Sequence, residues 1–362
     1  NMLYWLLYPL KDIFGPFRLF GYITFRSAYA AVAAILIVLV FGNRFIALLK
    51  EKSIKQQIRG VVPESHKVKQ GTPSMGGLMI LGSIIIASLL FCDLTNPNII
   101  ILLTTTVWFG ILGFFDDYIK IYKNKPRGLS IKTKLFFQIL YGMALGLYLY
   151  FYGPEGYATK TNLIFFKNYI INLAILYPLF VTFVVVGSSN GVNFSDGLDG
   201  LAIGLIGIAA LAYSALAYAA GHIGISQYLN IIFLAQGGEV TVFCASILGA
   251  SLGFLWFNSH PAQVFMGDTG ALSLGAIVGT AAILIKQEIL LIIVGGVFVI
   301  EVVSVILQII YFRCTGGKRL FKMAPLHHHF ELSGLREPKI VVRFWILAII
   351  FMMIALSTLK IR

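Results

Sequence analysis

Charged residues are scarce in this chain. Only 12% of its 362 residues are charged, against 58% that are hydrophobic, and just 15 residues are acidic. A soluble domain of this length needs a polar surface that such a composition does not supply. Because a helix of about 20 apolar residues crosses a hydrocarbon core of roughly 30 Å, the apolar runs leave room for about ten crossings. The sequence therefore predicts an all-α polytopic membrane protein.

Cysteine is also scarce, and a cleavage signal is missing. The three cysteines lie in or at the ends of apolar runs, which indicates neither a disulfide framework nor a cysteine-based metal site. The first twenty residues are apolar but interrupted by charges, with no small-residue cleavage site. We expect one integral membrane domain over residues 1–362, with an interfacial N-terminal helix at 1–20 and a transmembrane catalytic core at 21–362.

Positive charge is concentrated in a few loops. The formal net charge of +13 would suggest nucleic acid as a partner for a soluble chain, but its distribution argues against that interpretation. Lysine and arginine cluster in three loops, at residues 50–70, 120–134 and 313–339. By the positive-inside rule these loops are cytoplasmic. An even number of crossings then leaves both termini periplasmic.

The apolar runs predict where each crossing lies. The fifth is expected to break at Gly187, and residues 153–170 are expected to form a small outer hairpin. The predicted crossings are about 23–48, 74–92, 98–117, 131–152, 171–187, 201–219, 239–257, 270–285, 289–312 and 340–358.

The few aspartates are not scattered. Five of the seven fall at the inner-face ends of hydrophobic runs: Asp116, Asp117, Asp196, Asp199 and Asp268. Adjacent carboxylates beside an apolar slab are costly to ionise unless a cation shares the site. Carboxylates next to lysine-rich loops are typical of a site for Mg²⁺ and a diphosphate, because hard oxygen ligands hold the metal while lysine neutralises phosphate.

Two of these carboxylates have serious alternative roles. Asp196 and Asp199 lie in residues 187–200, which are rich in Asn, Ser and Gly and contain no Lys or Arg. That density favours recognition of a polar ligand or metal, although Asn-Gly and Asp-Gly clusters are also ordinary turn chemistry. Asp268, between glycines at the start of an apolar run, could equally be a helix N-cap.

Two further motifs lie in the basic loops. The Gly- and Pro-containing stretch before the second crossing includes Lys69 and suits an anion at a helix N-terminus, or is simply a solvated loop. The last basic loop carries three consecutive histidines, His327, His328 and His329. Consecutive side chains point in different directions, so hydrogen bonding to phosphate or sugar is favoured over zinc.

A transport function is the alternative from a different class. The ninth crossing contains Glu301, and an ionisable group in a membrane span is functional by default, although a hydrogen bond to a neighbouring helix would satisfy it equally well. A transporter or lipid flippase would bring its ionisable residues to mid-membrane in two repeated halves. In this sequence they crowd one interface, which suits a reaction between a soluble phosphate ester and a lipid phosphate.

Several motifs together carry a family resemblance. In this order along the chain they resemble those of the polyprenyl-phosphate N-acetylhexosamine-1-phosphate transferases, and the histidine triplet resembles the branch that transfers phospho-N-acetylmuramoyl-pentapeptide. The acidic and histidine positions show no departure from the pattern. The motifs are Phe114–Tyr118, Asn190–Gly200, Phe265–Asp268, Gly316–Lys322 and Pro325–His329.

The resemblance implies a fold, a reaction and a location. Such enzymes are ten-helix dimers that transfer phospho-MurNAc-pentapeptide from its UDP carrier to undecaprenyl phosphate, giving lipid I and UMP with Mg²⁺. They act on the cytoplasmic face of the bacterial inner membrane, where short cytoplasmic loops form the active site. A relative that transfers GlcNAc-1-phosphate is the nearest competitor, and the histidine triplet argues against it.

The resemblance also implies residue roles. Asp268 would ligate Mg²⁺, and Asp116, supported by Asp117, would be the base acting on the lipid phosphate or a nucleophile in a two-step variant. A uridine pocket would be formed by Lys69, Asn190, Asp196, Gly197, Leu198, Asp199 and Phe265. Phosphates or sugar would be held by Lys120, Lys134, Asn193, Gln308, His327, His328 and His329.

Overall fold

The computed structural model of the chain describes residues 2–51, 71–123, 128–162 and 170–361. Lys69, which the resemblance assigns to the nucleotide pocket, lies outside these residues.

Helices dominate the described residues, because a helix satisfies all of its own backbone hydrogen bonds where no water is present. Short 3₁₀ turns at Tyr8–Asp12, Gly15–Gly21 and Ala174–Leu176 connect some of them. The helices are α1 (Met2–Leu7), α2 (Ile23–Glu51), α3 (Gly77–Phe91), α4 (Pro97–Tyr122), α5 (Ile131–Tyr152), α6 (Tyr177–Ser195), α7 (Leu201–Gly221), α8 (Ile223–Leu229), α9 (Gly238–Asn258), α10 (Gly267–Leu284), α11 (Leu291–Val294), α12 (Gly296–Cys314), α13 (Leu326–Leu332) and α14 (Glu337–Ile361).

The polytopic all-α architecture is confirmed. Within the described residues, nine helices are long and apolar enough to cross a membrane, and α3 adds a tenth apolar helix of 15 residues. Helix α10 lies deep in the bundle, since 89% of its apolar 18-residue stretch is buried. In the corresponding stretch of α12 the buried share is only 17%. The bundle is therefore built around α10, and α12 lies at its periphery.

The predicted end of the fifth crossing is wrong. Helix α6 continues about two turns further, to Ser195, because its polar side chains are bonded inside the bundle. Asn190 donates to Gln138 Oε1 on α5 at 2.8 Å, and Ser189 Oγ donates to the Leu272 carbonyl on α10 at 2.9 Å. Helix-to-helix bonds of this kind replace the solvent that a loop would need.

The ninth crossing is divided, which the hydrophobic pattern did not show. It consists of the short helix α11 and the longer helix α12, and Gly295 separates them. The backbone N–H of Gly295 donates to the Leu291 carbonyl at 2.8 Å. This bond closes the first helix before the second begins.

A small hairpin forms at the end of the bundle where α5 ends and α6 begins. Strand β1 (Lys160–Asn162) pairs antiparallel with β2 (Ile170–Asn172), so a hairpin is present but extends two residues beyond the predicted region of 153–170. Thr161 Oγ1 on β1 donates to Glu288 Oε2 at 2.9 Å, and Lys286 Nζ donates to the Ala158 carbonyl at 2.9 Å. The α10–α11 turn thereby holds the hairpin against the bundle.

Candidate active site

The two adjacent aspartates lie in the last two turns of α4. Asp116 and Lys120 are four residues apart, so the helix places them on one face. One turn earlier, Gly113 lies against the first turn of α10, where a Cβ would overlap the Asp268 carbonyl and Thr269 Cα. This close approach brings the carboxylates of two distant chain segments together.

Two lysines bridge two of these carboxylates. Lys120 Nζ lies 2.5 Å from Asp116 Oδ2 and 2.9 Å from Asp268 Oδ1. Lys134 Nζ, from the first turn of α5, lies 3.0 Å from Asp116 Oδ2 and 2.5 Å from Asp268 Oδ2. Asp116 is fully buried, and its Oδ1 accepts from the Leu129 backbone N–H at 2.7 Å. The result is a closed ring of alternating charges.

Asp117 is bonded differently from its neighbour. Its Oδ1 accepts from the Asp268 backbone N–H at 3.1 Å, and its Oδ2 accepts from the N–H and hydroxyl of Thr269 at 2.9 and 2.7 Å. These are N–H groups of the first turn of α10 that have no partner within the helix, and a carboxylate at a helix N-terminus is favourable. Asp117 therefore anchors the residue that carries the third carboxylate.

The alternative role of Asp268 as a helix N-cap is wrong. Helix α10 begins at Gly267, and no side chain of its own N-cap residue makes a capping bond. Gly267 has a φ of +73°, and a Cβ on it would lie 2.6 Å from Asp117 Oδ2. The capping oxygens come from α4 instead, which leaves both oxygens of Asp268 to the lysines.

The three carboxylates fit a hard divalent cation. Oxygen atoms of Asp116, Asp117 and Asp268 all lie within 4.8 Å of one another. Three carboxylates and two lysines leave one negative charge in excess (3 − 2 = 1). Carboxylate oxygens with surplus negative charge suit a hard cation such as Mg²⁺, which binds through one or two of them and completes its shell with water and phosphate oxygens.

Asp196 lies in the electrostatic field of this cluster. It follows the last residue of α6 and is half-buried. Burial, together with the negative charges of Asp268, Asp117 and Asp199, raises its pKa to about 7, although the positive charge of Lys120 acts in the opposite direction. A carboxyl group that titrates near neutrality beside a metal-competent cluster is a typical feature of a functional site.

The three consecutive histidines have three different partners. His327 is buried, and its Nδ1 lies 3.0 Å from Glu301 Oε2. His328 Nδ1 lies 3.3 Å from Glu331 Oε2, and His329 Nδ1 accepts from the backbone N–H of residue 322 at 3.1 Å. Glu301 thus has the hydrogen bond to a neighbouring helix that sequence reasoning kept as an alternative.

The other predicted site residues vary in their surroundings. Gly197 lies directly against the His327 ring, and Gln308 Oε1 accepts from the Phe321 backbone N–H at 2.8 Å. Phe265 is half-buried and pairs through its backbone N–H with the Pro73 carbonyl at 2.8 Å. By contrast, the side chain of Leu198 is buried in an apolar cluster with residues of α14.

The chain resembles known proteins over its full length. A family model described as glycosyl transferase family 4 matches residues 99–286, and a phospho-N-acetylmuramoyl-pentapeptide-transferase signature matches residues 69–81. The proteins of that name from Endomicrobium trichonymphae, Geobacter sp. (strain M21) and Thermodesulfovibrio yellowstonii are 50%, 51% and 47% identical to it. In each case the alignment covers 100% of both chains.

The chain belongs to the phospho-N-acetylmuramoyl-pentapeptide transferase family. It is accordingly a transferase with several membrane-spanning helices.

A second polar cluster in this transferase was missed by sequence reasoning. Asp199 Oδ2 lies 3.0 Å from His260 Nδ1 and accepts from the Ala262 backbone N–H at 3.1 Å. Its own backbone N–H donates to Glu337 Oε1 at 2.6 Å, and His260 Nδ1 lies 3.5 Å from Glu337 Oε2. His260 and Glu337 are too far from Asp199 in the sequence for their spacing to indicate a shared site. The packing of both α9 and α14 on α7 brings them together.

Proposed function

We propose that this chain transfers phospho-N-acetylmuramoyl-pentapeptide from UDP-MurNAc-pentapeptide to undecaprenyl phosphate, giving lipid I and UMP. The observation that carries the proposal is the ring of Asp116, Asp268, Lys120 and Lys134 at one end of a membrane bundle. A soluble diphosphate ester and a lipid phosphate can meet at such a place. Full-length identity of about half to transferases of that name supports the same substrates.

The reaction exchanges one phosphate bond for another. An oxygen of the lipid phosphate attacks the phosphorus that bears the sugar, and the bond from that phosphorus to UMP breaks. Asp116 accepts the proton of the lipid phosphate, or forms the covalent intermediate itself in a two-step route. Lys120 and Lys134 offset the negative charge that accumulates on the phosphate oxygens, which is the main requirement of phosphoryl transfer.

A divalent cation bound at the three carboxylates would complete the charge balance. Asp268 would hold Mg²⁺, with the oxygens of Asp116 and Asp117 within 4.8 Å, and the metal would supply Lewis-acid stabilisation of the diphosphate. Asp117 keeps Asp268 in place through its bonds to α10. This role agrees with a supporting function for the second aspartate of the pair.

The remaining site residues bind the nucleotide and the sugar. The uridine pocket would use Asn190, Asp196, Gly197, Leu198, Asp199 and Phe265 together with Lys69, which falls within the matched signature at 69–81. The phosphates or sugar would be held by Asn193, Gln308, His327, His328 and His329. Asp199 already accepts two bonds from protein groups, so it contributes mainly by shaping the pocket.

The active site faces the cytoplasm in this proposal. Lysines of α4 and α5 lie at the site end of the bundle, and the positive-inside rule assigns that end to the cytoplasmic side of a bacterial inner membrane. Both termini are then periplasmic, the whole chain forms one membrane domain, and the protein works as a homodimer.

One assay tests the proposal and its competitors. Purified protein in detergent should release UMP from UDP-MurNAc-pentapeptide only when undecaprenyl phosphate and Mg²⁺ are both present. UDP-GlcNAc in place of the donor should give little product. Equal turnover of UDP-GlcNAc would indicate the related sugar-phosphate transfer, and uptake of the donor into vesicles without conversion would indicate transport.

A further inference from the structure

Glu301 and His327 form a buried pair between α12 and α13. Both side chains are at most 1% exposed. Glu301 Oε2 lies 3.0 Å from His327 Nδ1, and Glu301 Oε1 accepts from the His327 backbone N–H at 3.2 Å. Both carboxylate oxygens are therefore committed to a single residue, one to its ring and one to its backbone.

This geometry decides which ring nitrogen carries the proton. A carboxylate can only accept, so the nitrogen that faces it, Nδ1, is the N–H donor. In a neutral imidazole the other nitrogen, Nε2, then has a free lone pair and is an acceptor. Carboxylates that orient the far side of an imidazole in this way are common around functional histidines.

The Nε2 atom of His327 is buried and has no hydrogen-bond partner among the described residues. It lies against Gly197, where a Cβ would overlap it. Gly197 is in the connection between α6 and α7, next to Asp196, whose carboxyl group lies in the field of the acidic cluster. Since an unpaired buried acceptor is costly, this nitrogen is suited to a donor that arrives with a ligand.

We propose that Glu301 is a positioning residue that fixes His327 with Nε2 as an acceptor for an N–H or O–H donor of the nucleotide-linked sugar. The donor is a sugar hydroxyl or an amide N–H, and not a phosphate oxygen, which itself accepts. This inference rests on the proposed function, in which His327 touches the donor substrate. It narrows that contact from phosphate or sugar to a hydrogen-bond donor.

The proton position can be measured without any turnover. Protein labelled with ¹⁵N-histidine in detergent should show Nδ1 protonated and Nε2 unprotonated for His327 at neutral pH, with the resonances assigned by their loss in His327→Ala. A proton on Nε2 in the ligand-free protein would overturn the inference, even if the enzyme carries out the proposed transfer.

Replacing the carboxylate of Glu301 by an amide should move the imidazole proton of His327 from Nδ1 to Nε2. In Glu301→Gln the amide oxygen accepts from the His327 backbone N–H, so the amide N–H₂ faces Nδ1 and forces the proton onto Nε2. We expect KM for UDP-MurNAc-pentapeptide to rise about tenfold, the size of one lost hydrogen bond, while kcat stays within about twofold. KM for undecaprenyl phosphate should not change.

Ser304→Ala is the matched control on the same helix. Among the residues that the structure describes, Ser304 Oγ bonds only to the Glu301 carbonyl. Its loss should perturb α12 without affecting the imidazole, so both KM values should stay at the wild-type level. The role of Glu301 would be refuted by a folded Glu301→Gln protein in which His327 carries its proton on Nε2 but KM for UDP-MurNAc-pentapeptide is unchanged. If His327→Ala also leaves KM unchanged, the proposed contact of His327 with substrate fails instead.

Discussion

The two ends of the helix bundle hold two ionic clusters of opposite character. At the site end, three carboxylates face two lysines, and the side chains of Asp268, Lys120 and Lys134 are 15%, 27% and 19% exposed. At the hairpin end, Lys286 and Glu288 are 1% and 2% exposed. There one cation balances one carboxylate, and Tyr177 joins the two, since Lys286 Nζ donates to its hydroxyl at 2.6 Å and its hydroxyl donates to Glu288 at 3.5 Å.

The difference is the one expected between a binding site and a structural ion pair. The hairpin cluster is electrically balanced and closed to water, so it has nothing to offer a ligand. The site cluster has surplus negative charge and is partly exposed. A cation can therefore reach it and neutralise that charge, and a phosphate can then bind to the lysines. Excess charge with residual access is therefore a better mark of function than the presence of charge in a membrane protein.

Asp268→Asn should have the largest effect, because it removes the surplus negative charge and replaces one of the two oxygens that the lysines bind by an amide N–H₂. We expect turnover to fall at least about 1,000-fold. UMP release from UDP-MurNAc-pentapeptide with Mg²⁺ measures it. Asp12→Asn, at a 74% exposed side chain in the N-terminal region, is the control and should be fully active. If Asp268→Asn retained its turnover, the acidic cluster would have no catalytic role and would not differ in function from the Lys286–Glu288 cluster.

Lys286→Met should act on stability instead of catalysis. It leaves Glu288 buried without its counter-charge, so we expect a loss of about 3 kcal/mol in unfolding free energy. The folded fraction should still turn over normally. Unfolding in detergent measures the loss, and Lys160→Met is the control, because that lysine on β1 is only partly buried and its replacement should cost less than about 0.5 kcal/mol.

The same lysine should make stability depend on alkaline pH. Burial lowers the pKa of Lys286 from 10.5 to about 8, against the opposing pull of Glu288. Between these values the unfolded chain binds a proton that the folded chain does not, so stability should rise with pH across the window, by up to about 3 kcal/mol. Burial raises the pKa of Glu288 above its usual value of 4.5. Just above that pH the folded chain binds a proton that the unfolded chain does not, so stability should fall there as pH rises. The alkaline rise should disappear in Lys286→Met and persist in Lys160→Met.

Asp117→Asn should give the smallest of these changes and show whether the site end also contains a structural carboxylate. The amide keeps one acceptor oxygen, so one N–H at the start of α10 loses its partner, at a cost of about 1–2 kcal/mol. We expect a lower unfolding midpoint and weaker Mg²⁺ activation. Asp93→Asn is the control, since Asp93 accepts from Thr95 in an exposed turn that asparagine also supports. A loss of turnover as complete as in Asp268→Asn, with no loss of stability, would indicate a direct chemical role.

Much of the fold could be predicted from the sequence. Each crossing is a run of apolar residues that the membrane itself selects, so the bounds of α5, α7 and α9 agree with the prediction within about two residues. The convergence of Asp116, Asp117 and Asp268 also followed, because the basic loops assign all three to one membrane face.

The parts that could not be predicted depend on partners far away in the chain. The extension of α6 required knowing that Gln138 and α10 would satisfy its polar side chains. The capping role of Asp117 required knowing which helix start it faces, and Glu337 belongs to a helix some 140 residues beyond Asp199. Local sequence describes what a polar side chain needs, but not which distant residue supplies it.

The bridging lysines have a consequence for how substrates enter. The carboxylates are fixed to two helices in close backbone contact, whereas each lysine amine is carried by a flexible four-carbon stem. If a divalent cation bound these oxygens, the displaced amines would be free to turn to a phosphate group without any movement of the helices. Without ligands, the two lysine amines thus act as the counter-ions of the carboxylates, in the places that a cation would otherwise occupy.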